Sequence, residues 1–382
     1  MKSRHNLKEL KEKNKKIILS LLIKKGPLSR TEISQYTGLS QTAVSDLVEE
    51  LMMDHFIKEI GPGEYTGGRR PILLDFNAEN GYVVGIRVAE NKINSVLFDL
   101  NMGKIAEKEI AFDYFSSHNL HKILMRHILS LEKELCGDDK KILGVGICLD
   151  SNMKLLNPKA MLDTSISAEF MSLEEALTFE LGIPVVKEQE INLKAIAEYR
   201  RLSGVNNLAY LEIDDNIKAG VVINGKVFEG GINLEHLIID KDGAECPEGH
   251  RGCLISLISA KAIIKKALIM MIEEHVGITS SITDIGELNL ENLSGFLNEA
   301  KISKLTNEVA GYFKIALLNL KNLLNIKAFV LGGRVLNLSG LIDRLNSGLE
   351  GVIIKKTSVK HEDILREVSR LSLKKLIDVK GG

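Results

Sequence analysis

Three polar side chains at the start of a short helix have the types and spacing needed to read DNA bases. Gln41, Thr42 and Ser45 lie on one side of this predicted helix. A glutamine amide can pair with the edge of adenine, and a threonine methyl group can pack against the methyl group of thymine. The apolar stripe that would hold the helix against a core is formed by Val44, Leu47, Val48 and Leu51. The pattern predicts a recognition helix whose polar end enters the major groove.

The residues before this helix predict the element that positions it. A Gly-Pro pair at 26–27 ends a preceding helix, and Ser29 and Glu32 have the spacing of a capping box. Gly38 can adopt the positive φ of a tight turn, after which Ser40 caps the recognition helix at its DNA-facing end. Two short helices joined by a glycine turn are typical of a helix-turn-helix. The alternative is a helical hairpin that only packs against its neighbours.

A predicted strand–loop–strand follows the recognition helix. The strands cover 56–60 and 72–76, and the glycine-rich loop between them is too long for a tight hairpin. Such an arrangement is a wing, and its arginines can reach phosphates or a narrow minor groove. The basic side chains expected to contact the DNA backbone or the minor groove are Arg30, Lys58, Arg69 and Arg70.

The overall composition does not indicate DNA binding, but the distribution of charge along the chain supports it. The 382 residues carry a net charge of −1, yet residues 1–30 hold ten Lys or Arg against two Glu. A basic N-terminus beside a helix-turn-helix favours attraction to DNA phosphates, although a solvated lysine helix gives the same pattern. The longest apolar runs contain lysines and no signal-peptide core is present, so we expect a cytoplasmic protein without membrane contact. Four cysteines in such a long chain do not indicate a disulfide framework.

Beyond the wing, the sequence predicts two successive α/β units. Each begins with antiparallel strands and continues with alternating helices and strands, a pattern typical of a duplicated α/β fold. The predicted domains are a winged helix-turn-helix over 1–78, a first subdomain over 79–200 and a second over 201–382. The charged helix near 361–378 is expected to pack back on the first subdomain.

The chain resembles the ROK family of repressors, open reading frames and sugar kinases. It is most similar to the repressor branch of xylose and N-acetylglucosamine type, which carries an N-terminal winged helix. The resemblance implies a duplicated actin-like ATPase (ribonuclease H-like) fold from about residue 80 onward, and a dimer or tetramer. It rests on GPLSRTEISQYTGLSQTAVSDLVEEL, GGRRPILLDFN with GYVVGIRV, INLKAIAEY, CPEGHRGC and VLGGRV.

The chain departs from this family where the kinase members bind ATP. Their first phosphate loop has an Asp-x-Gly-x-Thr pattern, whereas this chain has Arg87 followed by Val-Ala-Glu-Asn. Their second glycine loop corresponds to Asn-Ile-Lys-Ala-Gly at 216–220. Their catalytic Asp corresponds to Glu190. Without glycines, backbone N–H groups cannot approach a phosphate closely, so we expect neither ATP binding nor enzyme activity.

The resemblance also implies a sugar site and a structural zinc. The positions that keep polar character, and so could bind a sugar or polyol effector, are Gln189, Glu190, Asn233 and His236. A vestigial site that only packs is the alternative. Relatives bind zinc with one His and three Cys, which correspond here to His236, Cys246, Glu248 and Cys253. Zinc accepts a carboxylate ligand, and His250 is a nearby substitute. Two buried, reduced cysteines without metal are the alternative.

Three functions follow as hypotheses. The first is a sequence-specific transcriptional regulator of sugar metabolism, most simply a repressor, which binds a double-stranded DNA operator as a homodimer or tetramer. Its sugar-sensing body would lack kinase motifs and would change operator affinity when an effector binds. The second is a ROK sugar kinase with an added DNA-binding head. The third is a scaffold whose α/β body binds another protein and thereby withdraws the regulator from DNA.

Overall fold

The computed structural model describes residues 2–64, 70–111, 120–136, 140–150, 172–272 and 288–380. It divides the chain into two compact units. The first comprises Met1–Glu190 together with His361–Gly382, and the second comprises Ile191–Lys360. The chain therefore leaves the first unit once and returns to it once. No helix in the described ranges combines the length and the apolar character required to cross a membrane.

The N-terminal part of the first unit is a winged helix-turn-helix. Its three strands form one antiparallel sheet in the order β1-β3-β2. The capping box of Ser29 and Glu32 is present, and Gly38 has a φ of 72° at the end of the second helix. The elements are α1 (Lys2–Lys25), β1 (Leu28–Ser29), α2 (Arg30–Thr37), α3 (Gln41–Met53), β2 (Ile57–Pro62) and β3 (Ile72–Phe76). The sequence therefore predicted α2, α3 and the wing strands, whereas it missed the two-residue β1.

The rest of the first unit is built on a five-stranded sheet in the order β6-β5-β4-β7-β8. Strands β4, β5 and β6 are antiparallel neighbours, while β7 and β8 run parallel to β4. Helices α4 and α5 pack on one face of this sheet. The strands are β4 (Tyr82–Val88), β5 (Lys92–Asp99), β6 (Lys104–Ala111), β7 (Ile142–Leu149) and β8 (Val185–Gln189), and the helices are α4 (Leu120–Leu131) and α5 (Leu173–Leu181).

The second unit repeats this topology. Its sheet has the order β11-β10-β9-β12-β13, with β9, β10 and β11 antiparallel and β12 and β13 parallel to β9. The strands are β9 (Asn207–Ile213), β10 (Ile217–Ile223), β11 (Lys226–Val227), β12 (Ala328–Gly332) and β13 (Ile353–Lys356). The helices are α6 (Glu190–Arg201), α7 (Leu254–Ile258), α8 (Ala260–Ile272), α9 (Glu299–Leu324) and α10 (Leu341–Asn346). This identical strand order is the duplication that the sequence predicted.

Two helices pack on a different sheet from the one that precedes them in the chain. Helix α6 follows β8, yet Ile191 and Ala195 pack against Leu208 and Tyr210 of the second unit. The last helix, α11 (His361–Lys380), follows β13 but packs on β4, β7 and β8 of the first unit. The structure therefore divides the chain after Glu190, ten residues before the predicted boundary, because α6 packs on the second sheet.

The contact between α11 and the first sheet is a close approach of backbones. A Cβ atom added at Gly146 of β7 would lie 2.3 Å from the carbonyl oxygen of Val368, and one at Gly85 of β4 would lie 2.4 Å from that of Leu365. Small buried serines on α11, Ser369 among them, complete the contact. Since only glycine leaves this space, these positions set how closely the helix lies on the sheet.

One apolar core joins the winged head to the rest of the first unit. It is continuous from the head helices and wing strands, through the free face of the first sheet, to α11. At its edge the Nζ of Lys16 donates to the backbone carbonyl of Asp378 over 2.6 Å. The members from the body are Val83, Val96, Phe98, Leu100, Met102, Leu365, Leu373, Leu376 and Ile377. Burial of this shared surface makes the head part of the first unit.

Candidate nucleic-acid, effector and metal sites

Helix α3 presents a polar surface at its N-terminal end because its other side is packed into the head. The Oγ of Ser40 accepts a hydrogen bond from the backbone N–H of Ala43 over 3.2 Å and so caps the helix. Gln41 and Thr42 are exposed, and Ser45 is partly exposed. The buried residues that orient the helix are Val44, Leu47, Val48 and Leu51. The predicted base-reading side chains therefore share one open surface, while Ser40 also has a structural role.

The basic side chains predicted to contact phosphates differ in their environments. The Nη1 of Arg30 lies 2.9 Å from a carboxylate oxygen of Glu59, and Lys58 pairs with an acidic side chain over 3.3 Å. Such partly exposed ion pairs contribute about 0–1 kcal/mol, so a phosphate can replace the carboxylate. Arg70 is exposed, and Arg69 lies outside the described residues.

Some of the lysines of the basic helix α1 form ion pairs within the head. Lys11 and Lys15 both pair with Glu50 of α3, the second over 3.0 Å. Hydrogen bonds from these two lysines lower the pKa of the Glu50 carboxyl. These lysines therefore hold α1 against α3, a role that the sequence did not predict for them.

A buried ionic cluster lies at the carboxyl ends of β4, β7 and β8. The guanidinium of Arg87 donates from Nη2 to Asp150, and from Nε and Nη2 to Glu190 over 3.4 and 3.2 Å. Glu190 is only 5 % exposed. His361 lies close enough that burial, and then the positive charge of Arg87, lower the pKa of its imidazole. An arginine therefore stands where the kinase pattern has an aspartate, and it is held by two carboxylates.

The second unit carries a comparable ionic cluster at its first two strands. The backbone N–H and the Nε of Arg334 donate to Asp214 over 2.7 and 3.2 Å, and Nη2 lies 3.5 Å from Asp215. Asp214 and Asp215 occupy the turn between β9 and β10, next to the altered glycine loop. Sequence reasoning noted the missing glycines but did not anticipate that an arginine after β12 would engage this turn.

The four predicted effector residues fall in two places. Gln189 is exposed at the end of β8, beside the buried Glu190, in the first unit. Asn233 is exposed and His236 is partly buried in an irregular segment of the second unit. Two of the four already have protein partners, since Glu190 accepts from Arg87 and His236 faces Cys246.

The same irregular segment holds a cluster of metal-ligating atoms. One donor atom from each of four residues lies within 4.8 Å of all the others, and the residues are His236, Cys246, His250 and Cys253. The Nδ1 of His236 is 3.6 Å from the Sγ of Cys246. Glu248, the predicted fourth ligand, instead places its carboxylate 3.2 Å from Nε2 of His236, on the other side of the ring. The geometry thus favours His250 over Glu248, because a ring nitrogen of His250 lies within 4.8 Å of the other three donor atoms.

The donor set suits zinc, which is bound in proteins by thiolate sulfur and imidazole nitrogen in a four-ligand arrangement. Burial raises the pKa of Cys246, but hydrogen bonds from the backbones of Glu248 and His250 and from His236 outweigh it and lower the pKa to about 7. Burial and the neighbouring Cys246 raise the pKa of Cys253 to about 11. The Cys246 thiol therefore ionises more readily than an ordinary thiol, whereas the Cys253 thiol stays protonated unless a cation is bound.

The fold and these sites define a winged helix-turn-helix DNA-binding head on a duplicated actin-like body. The chain belongs to the ROK family, whose model matches residues 83–372, and a winged helix-turn-helix DNA-binding model matches residues 11–58. The expected fold class, an α/β protein with an N-terminal winged helix-turn-helix and a ROK domain, is confirmed.

Named relatives include repressors. The chain is 30% identical over 338 residues to the xylose repressor of Bacillus spizizenii, covering 86% of this chain and 83% of the relative. It is 22% identical over 275 residues to the DNA-binding transcriptional dual regulator NagC of Escherichia coli, covering 70% of this chain and 68% of the relative.

Solved structures show the same fold. A ROK family transcriptional regulator, a homologue of the E. coli MLC protein, has a TM-score of 0.72 at 18% identity, covering 98% of this chain and 99% of that one. The ROK hexokinase from Thermus thermophilus has a TM-score of 0.57 at 20% identity, covering 79% of this chain and 100% of that one.

Proposed function

We propose that this protein is a sequence-specific transcriptional repressor of sugar metabolism. The observation that carries the proposal is the exposed polar end of α3 on a packed winged head, with Gln41, Thr42 and Ser45 on one surface. Such a helix reads base edges while Arg30, Arg69 and Arg70 contact the backbone or minor groove. Relatives that match most of this chain carry the name xylose repressor.

A small sugar or polyol is the effector in this proposal. The matched relatives are named for xylose and for N-acetylglucosamine. The polar side chains Gln189, Glu190, Asn233 and His236 are candidate contacts for hydroxyl groups, which both donate and accept hydrogen bonds. Binding of the effector releases the operator because it stabilises a conformation with lower affinity for DNA.

The alternative function, a sugar kinase with a DNA-binding head, is less consistent with the ionic clusters. A phosphate cradle needs open backbone N–H groups or a free cation. Here Arg87 is held by Asp150 and Glu190, and the turn of the second loop carries two aspartates beside Arg334. We therefore propose that the protein does not transfer phosphate. A coupled assay with ATP and a panel of hexoses and xylose would reveal turnover if this is wrong.

We further propose a structural zinc held by His236, Cys246, His250 and Cys253. The metal would supply cross-links that fix the irregular segment in which two of the effector residues lie. Assembly as a homodimer in the cytoplasm completes the proposal, since two heads would match the two half-sites of a palindromic operator.

The test measures binding of the full-length protein to the promoter region of its own gene by fluorescence anisotropy. The wild-type protein should bind this duplex much more tightly than a scrambled duplex, and Gln41→Ala should lose about tenfold or more of that difference. The matched control is Gln35→Ala, which replaces another exposed glutamine, on α2. Equal affinity of the wild-type protein for both duplexes at physiological salt would contradict the proposal.

A further inference from the structure

Two members of the cluster of metal-ligating atoms are cysteines, which can also react with each other. Cys246 and Cys253 are both free thiols, and their Sγ atoms lie within 4.8 Å of one another. They are called the thiol pair. A disulfide has an S–S length of about 2.05 Å, so a change of side-chain rotamer is enough to close the gap. Cys148 is also free, but it lies in β7 of the first unit.

The backbone on both sides of the thiol pair is fixed by short contacts. The N–H of Cys246 donates to the carbonyl of His250 over 2.7 Å. Gly252, directly before Cys253, has a φ of 69°, and a Cβ atom added there would lie 1.4 Å from the carbonyl oxygen of Asp240. Since only glycine permits this approach, Gly252 sets the path of the chain into Cys253. The backbone itself therefore brings the two sulfur atoms together.

The two thiols differ in their access to solvent. Cys246 is 5 % exposed and directly precedes the exposed turn 247–250, whereas Cys253 is 0 % exposed. A small oxidant that passes the turn therefore reaches Cys246 first. Thiols that respond to oxidants are typically the more accessible ones, with a second cysteine placed to resolve the product. The thiol pair has this arrangement.

We propose that the thiol pair is a peroxide-sensitive modification site, at which Cys246 is oxidised and Cys253 converts the product to a disulfide. The Sγ of Cys246 attacks one oxygen of hydrogen peroxide, the O–O bond breaks, and a sulfenic acid and one water are formed. The Sγ of Cys253 then attacks the sulfur of the sulfenic acid. The S–O bond breaks, and the hydroxyl group leaves as a second water with the proton of the Cys253 thiol. The thiol pair loses two electrons, and the peroxide is reduced to water.

The disulfide removes both sulfur ligands from the proposed zinc site. Only the imidazoles of His236 and His250 remain, and two ligands do not complete a structural zinc site. We therefore expect oxidation to release the metal and a thiol reductant to restore its binding. The proposal goes beyond the repressor function, because the oxidation takes place in the second unit whether or not the protein binds DNA.

The test treats the reduced full-length protein with hydrogen peroxide, alkylates the remaining thiols and maps the disulfides after digestion with trypsin. Trypsin cuts between the two cysteines, after Arg251, so that they fall in separate peptides, 242–251 and 252–261. The oxidised protein should yield these two peptides linked to each other, and a reductant should separate them. A chromogenic chelator should detect zinc in solution as the linked product forms.

Two variants test the order of the steps. In Cys253→Ser the sulfenic acid has no resolving thiol, so dimedone should label Cys246. In Cys246→Ser dimedone should label Cys253 much less. The matched control is Cys148→Ser, which should form the linked peptides like the wild-type protein. Equal labelling of the two single cysteines would overturn the assignment of Cys246 as the thiol that reacts first. The peptide mapping uses the wild-type protein and so does not depend on the folding of any variant.

The outcomes distinguish this proposal from the zinc site. Linked peptides from a protein that contains no zinc would contradict the zinc site and support the thiol pair. A protein that contains zinc, but whose two peptides stay separate under conditions that oxidise a free thiol in a parallel sample, would overturn the thiol pair alone. Linkage of either cysteine to Cys148 instead would overturn it as well.

Discussion

Replacement of Gly146 by alanine should destabilise the first unit severely. The added Cβ would lie 2.3 Å from the carbonyl oxygen and 2.5 Å from the carbonyl carbon of Val368. Non-bonded carbon atoms normally approach to about 3.5–4.0 Å. Both obstructing atoms belong to the backbone of α11 and cannot rotate away, so the helix must move by about 1 Å along most of its contact with the sheet.

The expected loss follows from the size of that displacement. Overpacking of a well-packed core costs about 1–3 kcal/mol, and a shift of an entire helix places this case at the upper end or above it. We expect a loss of about 3 kcal/mol or more in the free energy of unfolding of the first unit. Domain stabilities are about 5–15 kcal/mol, so the variant should unfold at clearly lower urea concentration. Because α11 also completes the core of the head, operator affinity should fall as well.

The assay is urea denaturation followed by far-UV circular dichroism, with Gly311→Ala as the matched control. Gly311 lies in α9 of the second unit, and apart from the helix's own backbone no atom of the described residues comes within 4 Å of a Cβ added there. Alanine is favoured over glycine inside a helix by about 0.5–1 kcal/mol, so this variant should be slightly more stable than the wild-type protein. Wild-type stability of Gly146→Ala, or equal losses in both variants, would refute the argument that backbone contact fixes α11.

Two further predictions concern ionisable groups. Burial, and then the charge of Lys108, lower the pKa of His127 to about 4. Between about pH 6.5 and about pH 4 the imidazole is therefore protonated in the unfolded state but not in the folded state, so the free energy of unfolding should decrease as the pH falls through this range. His127→Gln should remove about 2 kcal/mol of that pH dependence in urea titrations at pH 7 and pH 4.5; an unchanged dependence would show that other groups cause it. Purified wild-type protein should contain about one zinc per chain by mass spectrometry. Cys246→Ser should lose the zinc, whereas Cys148→Ser, which replaces a buried cysteine outside the cluster, should keep it. Equal zinc contents in the two variants would exclude the proposed zinc site.

Local sequence signals predicted the head well because its helices begin and end with side-chain chemistry. Ser29 and Glu32 form the capping box, Gly38 adopts positive φ, and Ser40 caps α3, all as expected from residue type. Helix α1 ends before the Gly-Pro pair as expected, and it begins at Lys2 because no glycine or proline breaks the basic N-terminal sequence. The sequence likewise predicted that each unit of the body begins with antiparallel strands and continues with alternating helices and strands.

The elements that were missed depend on distant contacts. Strand β1 has only two residues and exists because it pairs with β3, and β13 is a strand because it lies beside β12. Helices α7 and α8 are separate because Ser259 adopts extended backbone and its side chain caps α8. Pairing partners and packing surfaces far along the chain decide such features, and residue type alone does not reveal them.

The candidate sites were predictable to a similar extent. Residue type identified the polar end of α3, whereas the resemblance to the ROK family identified the cluster of His236, Cys246 and Cys253. The choice between Glu248 and His250 needed the geometry of the turn between the cysteines. The partners of Arg87 could not be found from sequence, because Asp150 and Glu190 lie 63 and 103 positions away.

The packing of α11 into the head has a consequence during protein synthesis. Lys16 contacts the carbonyl of a residue 362 positions later in the chain. The apolar surface of the head therefore stays incomplete on the ribosome until nearly all of these codons have been translated. A nascent or prematurely terminated product would expose that surface and offer it to chaperones and proteases before it could occupy a promoter. Competence to bind DNA is thereby reserved for chains whose α/β body has already been made.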